Sequence, residues 1–287
     1  MKPLFFIISL FPKMLYVCLV DLYIYIRIYK VFSFYKVTKV NLEIAYPELS
    51  KSEIELISKL SIRESLISGF ETLYTWGTST HQSNNQLFKI ENNFLLSKTY
   101  EEQNGLIIVS IHNRSVDMLL RWINSKIKTV SLYKKIKINA LEKFVKKNRE
   151  YGGSKSYETS IGGVRKILQA LKSKDAICFA ADQVPQKGLG KYIKLYNRDA
   201  YTTTLVQSLA VKTGAPVLYI FINSNKDGFL YVSVKQCGNN IYDDSKHQLL
   251  LNKDIEKIIN VRPIDYSWEY KRFKRHRPPD IDPYRSI

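Results

Sequence analysis

The sequence predicts an α/β fold, a sheet flanked by helices, preceded by an apolar N-terminal membrane-anchoring helix. Two observations carry this. From residue 105 to residue 235, short apolar runs alternate with segments of helical periodicity, the pattern of strands whose faces are covered by helices. Ahead of them, residues 4–29 read LFFIISLFPKMLYVCLVDLYIYIRIY, an apolar stretch broken by Pro12, Lys13, Asp21 and Arg27. With 287 residues and 45 % hydrophobic content, the chain is long enough for one large α/β domain or two small ones, and it is not disordered. The expected division is an anchor over residues 1–32 and a globular domain over residues 33–287.

Taken in order, the apolar start lacks the small-residue cleavage site of a secretory signal. Its internal charges weaken a clean span of about 20 apolar residues. The expectation is a helix lying in, or dipping into, one leaflet. Phe5, Phe6, Tyr16, Tyr23 and Tyr25 suit its interface, beside Arg27 and Lys30. A buried core helix is the alternative. After Pro47, Ser50 and Glu53 have the spacing of a capping box, and Ile54, Ile57 and Leu60 continue at helical spacing, so a helix starts there. Residues 77–104 are polar and Asn-rich, with only a weak pattern. Residues 105–111 (GLIIVSI) form a strand cut off by His112. A helix begins near Ser115 and carries Met118, Leu119, Trp122 and Ile123. Val164, Ile167, Leu168 and Leu171 mark a helix over residues 163–172. Residues 176–181 (AICFAA) are a strand ending at Asp182 and Gln183, and a loop with Pro185, Gly188 and Gly190 follows. A helix over residues 202–212 stops at Gly214, and strands follow at 217–222 and 229–235.

The formal charge of +18 calls for an anionic partner: nucleic acid, an acidic membrane surface or an acidic protein. One basic run is Lys134, Lys135, Lys137, Lys143, Lys146, Lys147 and Arg149; another is Lys271, Arg272, Lys274, Arg275 and Arg277. Each alone reads as a solvated face. Flanking a site, and joined to an apolar N-terminus, they favour phosphorylated lipid headgroups. Nucleic acid is an alternative use, but no RNP-type, helix-turn-helix or zinc-finger pattern is present. Part of the lysine excess, with 20 tyrosines and many Asn and Ile, also fits an AT-rich genome. Cys18, Cys178 and Cys237 are far apart, which suggests a reducing compartment and no structural metal. There is no GxSxG elbow, no GxxxxGK[ST] loop and no HExxH, and GLGKYI lacks the third glycine of a dinucleotide fingerprint. No metal or cofactor is therefore expected.

His112 is one of only four histidines. On one continuous helix, Asp117 would lie about 140° away around the axis. If the strand ends at His112 and the helix starts near Ser115, the turn between can bring Asp117 back to the imidazole. Asp117 then sits in the first helical turn, where a carboxylate is favoured. A carboxylate on one ring nitrogen fixes the tautomer and leaves the other free to take a proton from a hydroxyl. The substrate alcohol is then the nucleophile, and N–H groups at the helix start can hold an oxyanion. By spacing alone, a strand-capping histidine with an unrelated aspartate fits equally well. Asp182 and Gln183 stand at the carboxyl end of a buried strand, where open α/β sheets place their sites; an Asx-capped turn is the alternative.

These residues resemble a known family. HNRSVD (112–117) matches the H-x4-D/E motif of the glycerolipid and lipid A acyltransferases. NLEIAYPELSKSEIELI (41–57) resembles the N-L-x-x-x-F-P-E-x-S segment of the late acyltransferases of lipid A biosynthesis, the lauroyl and myristoyl transferases. GGVRKILQALKSKDAICFAADQVPQKGLGKYIKLYNRDAYTTTLVQSLAVKTGAPVLYIF (162–221) resembles their central block, and WEYKRFKRHRP (268–278) their C-terminal W-x-x-x-R-F-K-x-R-P. The resemblance runs in order over nearly the whole chain. It implies a glycerolipid acyltransferase-like fold with a mixed sheet, and an acyltransferase domain over residues 33–287. It implies His112 as general base and Asp117 as its orienting partner. The base would deprotonate an acceptor hydroxyl that attacks an acyl thioester. The donor would be acyl-acyl carrier protein and the acceptor a phosphorylated lipid, a lipid A precursor, giving an acyloxyacyl group. Arg149 would hold a phosphate or the oxyanion, with Asp182 and Gln183 near the site; Arg114, Ser115, Lys134 and Arg272 complete the expected substrate contacts. No cofactor, metal or nucleic acid is implied, and the expected location is the cytoplasmic face of the bacterial inner membrane. Both the acidic carrier and the anionic lipid fit the +18 charge. Arg114, Val116 and Asp117 stand where lipid A enzymes carry Gly, Trp and Glu in H-x-G-N-W-E, and Tyr133-Lys134-Lys135 where they carry Y-R-P. The acceptor can thus be a lipid A precursor or another lipid, such as a lysophospholipid; an inactive lipid-binding homologue is the non-enzymatic alternative.

Overall fold

The computed structural model describes residues 2–243, 247–277 and 279–287. Two helices, α1 (Lys2–Ser9) and α2 (Lys13–Tyr25), stand where one anchoring helix was expected. Pro12 is the reason. It caps α2 with φ −61° and ψ 125°, and its ring excludes the residue before it from a helix. Segments Pro3–Ser9 and Lys13–Tyr25 meet at 83°. Among the described residues no single helix is long and apolar enough to cross a membrane, although this bent pair passes on length and composition.

One side of the pair is packed. Val20 and Ile24 meet Ile62 and Ile67 of α4 (Lys51–Gly77). At the end of α4, a Cβ on Gly77 would lie 2.1 Å from the Phe5 carbonyl oxygen, so only glycine lets α1 approach. The other side is bare: Leu4, Phe6, Ile7, Leu10, Met14, Leu15, Leu19 and Leu22 are exposed. The α4 helix starts where the sequence placed it. Ser50 accepts from the Glu53 N–H, and the Glu53 carboxylate takes the Ser50 N–H at 2.8 Å. Between α2 and α4 runs α3 (Ser33–Ala45).

The main sheet has seven strands in the order β1-β9-β8-β2-β5-β3-β4. In chain order these are β1 (Leu87–Glu91), β2 (Leu106–Ser110), β3 (Thr129–Tyr133), β4 (Lys155–Glu158), β5 (Ala176–Ala180), β8 (Val217–Ser224) and β9 (Leu230–Gln236). Strands β8, β2, β5, β3 and β4 run parallel, while β9 is antiparallel to β8 and pairs in parallel with β1. The sheet is therefore mixed and flanked by helices. Every residue of β2 is buried, which is why its run is apolar throughout rather than alternating. On one face Ile107, Val109, Ile177 and Phe179 meet α9 (Ile161–Lys172), α10 (Leu205–Thr213) and α11 (His247–Val261). On the other, Leu106, Ile108 and Cys178 meet Met118, Leu119, Trp122 and Ile123 of α7 (Val116–Lys126) and Leu96 of α6 (Asn93–Glu101).

Two segments depart from expectation. The polar stretch 77–104 holds α5 (Thr80–Asn84), the edge strand β1 and α6. Residues 202–203 belong to a hairpin, β6 (Gly190–Leu195) with β7 (Arg198–Thr203), and α10 starts only at Leu205. A tertiary contact accounts for this: the buried Arg272 guanidinium donates to the Tyr201 carbonyl at 2.9 Å and to Thr202 Oγ1 at 2.8 Å. The remaining helix, α8 (Asn139–Arg149), carries the first basic run.

Candidate active site

Strands β2 and β5 are adjacent, parallel and in register, with Ser110 opposite Ala180. Two residues beyond each strand end come His112 and Asp182, which therefore stand side by side at the same level. His112 Nδ1 lies 2.9 Å from Asp182 Oδ1, and the His112 backbone N–H donates to Oδ2 at 3.2 Å. The Asp182 carboxylate is 2 % exposed and the imidazole 31 %. Burial pulls the His112 pKa down, but the Asp182 charge and hydrogen bond outweigh it, so the net shift is upward. Burial pushes Asp182 up, while the imidazole and the backbone N–H outweigh that and hold it below the ordinary range. A carboxylate on Nδ1 selects the tautomer with its proton there and a lone pair on Nε2. The Gln183 amide nitrogen sits 3.2 Å from Nε2. Its NH2 group thus occupies the place where a substrate hydroxyl would meet the base.

Asp117 does not reach the imidazole, and the expected His112–Asp117 pair is corrected to His112–Asp182. The Asp117 carboxylate is clamped instead by Arg149, at 2.7 Å from Nε and 3.1 Å from Nη2. This fork geometry fixes the guanidinium plane. Burial alone would lower the Arg149 pKa; Asp117 reverses that and keeps the residue cationic. Arg149 also lies over the Tyr133 ring, 5.6 Å from its centroid. The end of α8 is tied to α7 by Asn124 Nδ2, which donates to the Arg149 carbonyl at 2.8 Å. Gly152, at φ +66°, follows so closely that a Cβ would lie 2.7 Å from the Asn124 carbonyl oxygen.

The turn carrying His112 is pinned from below. Its carbonyl accepts from the Ser267 N–H at 2.9 Å, and the Arg114 N–H donates to the Asp265 carbonyl at 3.0 Å. Asn113 Nδ2 donates to Asn223 Oδ1 at 2.7 Å. Arg114, expected to touch substrate, is corrected to a framework residue. Its side chain is 1 % exposed and pairs with Glu64, with Glu71 at 2.6 Å and with Asp265 at 3.6 Å. Lys13 of α2 reaches the same Glu71 oxygen at 3.1 Å, so this charge cluster links the N-terminal helices to the turn that carries His112. Replacing Arg114 takes a shared cation from three buried carboxylates, leaving Lys13 to Glu71, Arg63 and Arg262 to Glu64, and Arg262 to Asp265. Arg114→Met is expected to cost about 3–5 kcal/mol of stability in denaturant titrations; a loss below about 1 kcal/mol overturns this.

Ser115 is likewise corrected. Its hydroxyl caps α7 by accepting from the Met118 N–H at 3.2 Å and lies 3.0 Å from Thr72 Oγ1, so it is spent within the protein. Arg272 is corrected too, because it is buried against β7 as described. By contrast, Lys134, Arg149 and Gln183 border the same cavity as His112, and Asp182 lies directly behind the imidazole.

That cavity measures about 780 Å³, a volume suited to a ligand-binding cleft. Apolar side chains line it, Leu119, Leu120 and Ile123 of α7 among them, with Leu132 and Phe179 of the sheet. Five cations border it, Lys134, Lys135, Arg149, Lys274 and Arg275, with the carboxylate Glu158 among them. Cys178 also borders it, but burial pushes its thiol up to about 12, so it offers no thiolate nucleophile at neutral pH. Among the described residues no cluster of His, Cys, Asp and Glu is arranged to hold a metal ion. The arrangement can bind an apolar chain and an anionic group, and accept a proton beside them.

Sequence reasoning left Tyr270, Lys274 and Arg275 outside the site, the two cations having read as a solvated basic run. Their signal was the alternation of aromatic and basic residues in YKRFKR, but which of these face the cavity depends on their packing against β6 and β7.

The family model described as bacterial lipid A biosynthesis acyltransferase matches residues 4–275. The chain is 25 % identical over 243 residues to the lipid A biosynthesis palmitoleoyltransferase of Escherichia coli (strain K12), covering 83 % of this chain and 78 % of that protein. A lipid A biosynthesis acyltransferase of Shigella flexneri matches to the same extent, 25 % over 243 residues with the same 83 % and 78 % coverage. The lipid A biosynthesis lauroyltransferase of Escherichia coli (strain K12) is 21 % identical over 262 residues, covering 86 % of this chain and 80 % of that protein.

Proposed function

Because the chain belongs to the bacterial lipid A biosynthesis acyltransferase family and is an acyltransferase, we propose that it moves a fatty acyl chain from acyl carrier protein to a hydroxyl of a lipid A precursor. His112 is the general base and Asp182 its orienting carboxylate. The observation that carries this reading is the His112–Asp182 pair, whose second ring nitrogen meets the Gln183 amide beside a cavity lined by apolar side chains and cations.

The chemistry follows from that geometry. The acyl chain of the donor lies along Leu119, Leu120 and Ile123. The acceptor hydroxyl displaces the Gln183 amide from Nε2. As its oxygen attacks the thioester carbonyl, its proton passes to Nε2 and the imidazolium is stabilised by Asp182. Charge gathering on the carbonyl oxygen is met by donors at the start of α7 and by the Arg149 cation, which Asp117 holds in place. Collapse breaks the C–S bond, and the imidazolium returns the proton to the leaving thiolate. No protein nucleophile is needed, in keeping with the high pKa of Cys178.

The protein works at the cytoplasmic face of the bacterial inner membrane. The supporting observation is the bare apolar side of α1 and α2, where Met14 and Tyr25 are each 81 % exposed. A contiguous apolar surface of this kind suits one leaflet of a membrane.

The test is transfer by the purified protein in detergent. Acyl carrier proteins loaded with C10 to C16 chains are offered with the tetra-acylated precursor, and products are read by mass spectrometry. The expected result is a mass gain of one acyl chain. Arg114, Val116 and Asp117 favour one second reading, transfer to another phosphorylated lipid. A gain on a lysophospholipid and none on the precursor would establish it, and no gain on any lipid would overturn acyl transfer here.

A further inference from the structure

The loop after Asp182 and Gln183 hangs from two tyrosines. The Val184 N–H donates to Tyr270 Oη at 3.0 Å, and the Gly188 and Gly190 N–H groups donate to Tyr201 Oη at 2.9 and 3.2 Å. Each ring carries a cation on its face. Lys274 Nζ is 4.8 Å from the Tyr270 centroid, and Arg275 Cζ is 5.1 Å from that of Tyr201. Both cations border the cavity, as do Lys134 and Lys135. The segment bearing them is held in place, since Tyr192 Oη donates to the His276 carbonyl at 3.0 Å.

Arg275 stands out in this group. Its Nη1 is shut off from solvent and has no hydrogen-bond partner among the described residues. A sealed guanidinium N–H without an acceptor is unfavourable in the free protein. Arg275 also borders the cavity, so an anion there would meet the charge of its guanidinium. Lys134 and Lys274 have no carboxylate partner among the described ion pairs; Lys135 has one, an exposed pair with Glu158 at 3.3 Å, which water screens.

We propose that Arg275 and Lys274, stacked on Tyr201 and Tyr270 and joined on the lining of the same cavity by Lys134 and Lys135, form a subsite for a phosphoryl group of a substrate. This rests on the acyl-transfer reading and deepens it. Two substrates could bring the group: the donor, through the phosphodiester of its carrier arm, or the acceptor lipid, through its headgroup. In either case the subsite reads a tetrahedral anion at the rim while His112 works beside it. A planar guanidinium fixed on a ring offers that anion two parallel N–H groups, and the lysines add charge without direction.

The experiment pairs substrates that differ only in phosphate. The donors are one acyl chain on phosphopantetheine or on pantetheine; the acceptors are the precursor with or without its phosphates. KM and kcat are measured for the wild type, Arg275→Met, Lys274→Met and Arg275→Lys. In the wild type the phosphorylated member of one pair is expected to have a KM about 10- to 100-fold lower, the worth of one or two charge-assisted hydrogen bonds. Arg275→Met should erase that preference with little change in kcat, and Arg275→Lys should restore part of it. The pair that responds names the source. If every variant keeps the wild-type preference in both pairs while transfer proceeds, the subsite is wrong and acyl transfer stands. If no pair is turned over, melting with inorganic phosphate or phosphopantetheine still tests the subsite. The midpoint should rise for the wild type and not for Arg275→Met, and no rise in the wild type overturns the proposal. Without ligand, Arg275→Met should melt no lower than the wild type, because it removes a sealed N–H that lacks an acceptor; a lower midpoint assigns Arg275 to the framework.

Discussion

His112→Ala is expected to lower acyl transfer about a thousandfold, the scale of a positioned general base, while the protein remains folded. The side chain can be spared because its contacts are few. The imidazole touches Asp182 and Gln183, whereas the backbone bonds of the turn, from the His112 N–H to Asp182 and from the Ser267 N–H to the His112 carbonyl, persist in alanine. Asp182 loses the ring that holds its pKa down and shifts toward the protonated acid. The stability loss should therefore stay near that of one charged hydrogen bond, about 1.5–3 kcal/mol. Transfer is read by product mass, and folding by a cooperative melt on the same sample. A variant that melts normally and keeps at least a tenth of the wild-type rate would remove His112 from the chemistry.

Asp182→Asn should cost about 100- to 10,000-fold in kcat and also change the pH profile. Asp182 accepts from the ring Nδ1–H and from the backbone N–H of residue 112, and the Tyr266 hydroxyl also bonds to it. An asparagine has one oxygen to offer. If it serves the backbone, the amide NH2 points at Nδ1, the ring proton moves to Nε2 and the base is lost. If it serves the ring, two N–H groups clash at the backbone. The sign of the pH effect follows from the same contacts. A base works only when unprotonated, so the wild-type rate falls as pH drops through the His112 pKa, which Asp182 raises above the ordinary value. Without that carboxylate the downward pull of burial remains, so the acid limb moves to lower pH. Asp117→Asn is the control. It releases Arg149, whose charge lowers the His112 pKa, and slows transfer, but it does not touch the imidazole, so its acid limb should move less than that of Asp182→Asn. Should Asp117→Asn shift the limb and Asp182→Asn leave it, the partner assigned to His112 is the wrong one.

Much of this site was legible because it rests on local chemistry. The capping box at Ser50 and Glu53, the strand ending at His112 and the helix capped by Ser115 each follow from a few neighbouring residues, and each is found. The ends of β2 and β5 were both marked as site positions, LIIVSIH and AICFAAD being parallel apolar runs closed by an ionisable residue. What could not be read was that the two strands are neighbours in register. Sequence proximity favoured Asp117, five residues from His112, over Asp182, seventy residues away. The fold reverses that preference, because Arg149 arrives from the end of α8 to claim Asp117.

The basic residues teach the same lesson. Arg114, Arg272 and Arg275 look alike in the chain, and nothing local tells a brace from a ligand contact. Packing separates them: Arg114 is enclosed by Glu64, Glu71 and Asp265, Arg272 is spent on β7, and Arg275 alone of the three borders the cavity. At the N-terminus, Pro12 marked a break in the chain, but not the 83° bend it makes or which apolar residues it leaves bare. By itself the sequence determined the α/β class, the main strand ends, the place of His112 at the end of a strand and the family, since each depends on periodicity, caps and short motifs. The tertiary structure alone decided which carboxylate stands against His112, which cations border the cavity and which are locked in the framework. Those outcomes depend on strand order and on competition among distant charges for the same partner, and neither is written in any local stretch of the chain.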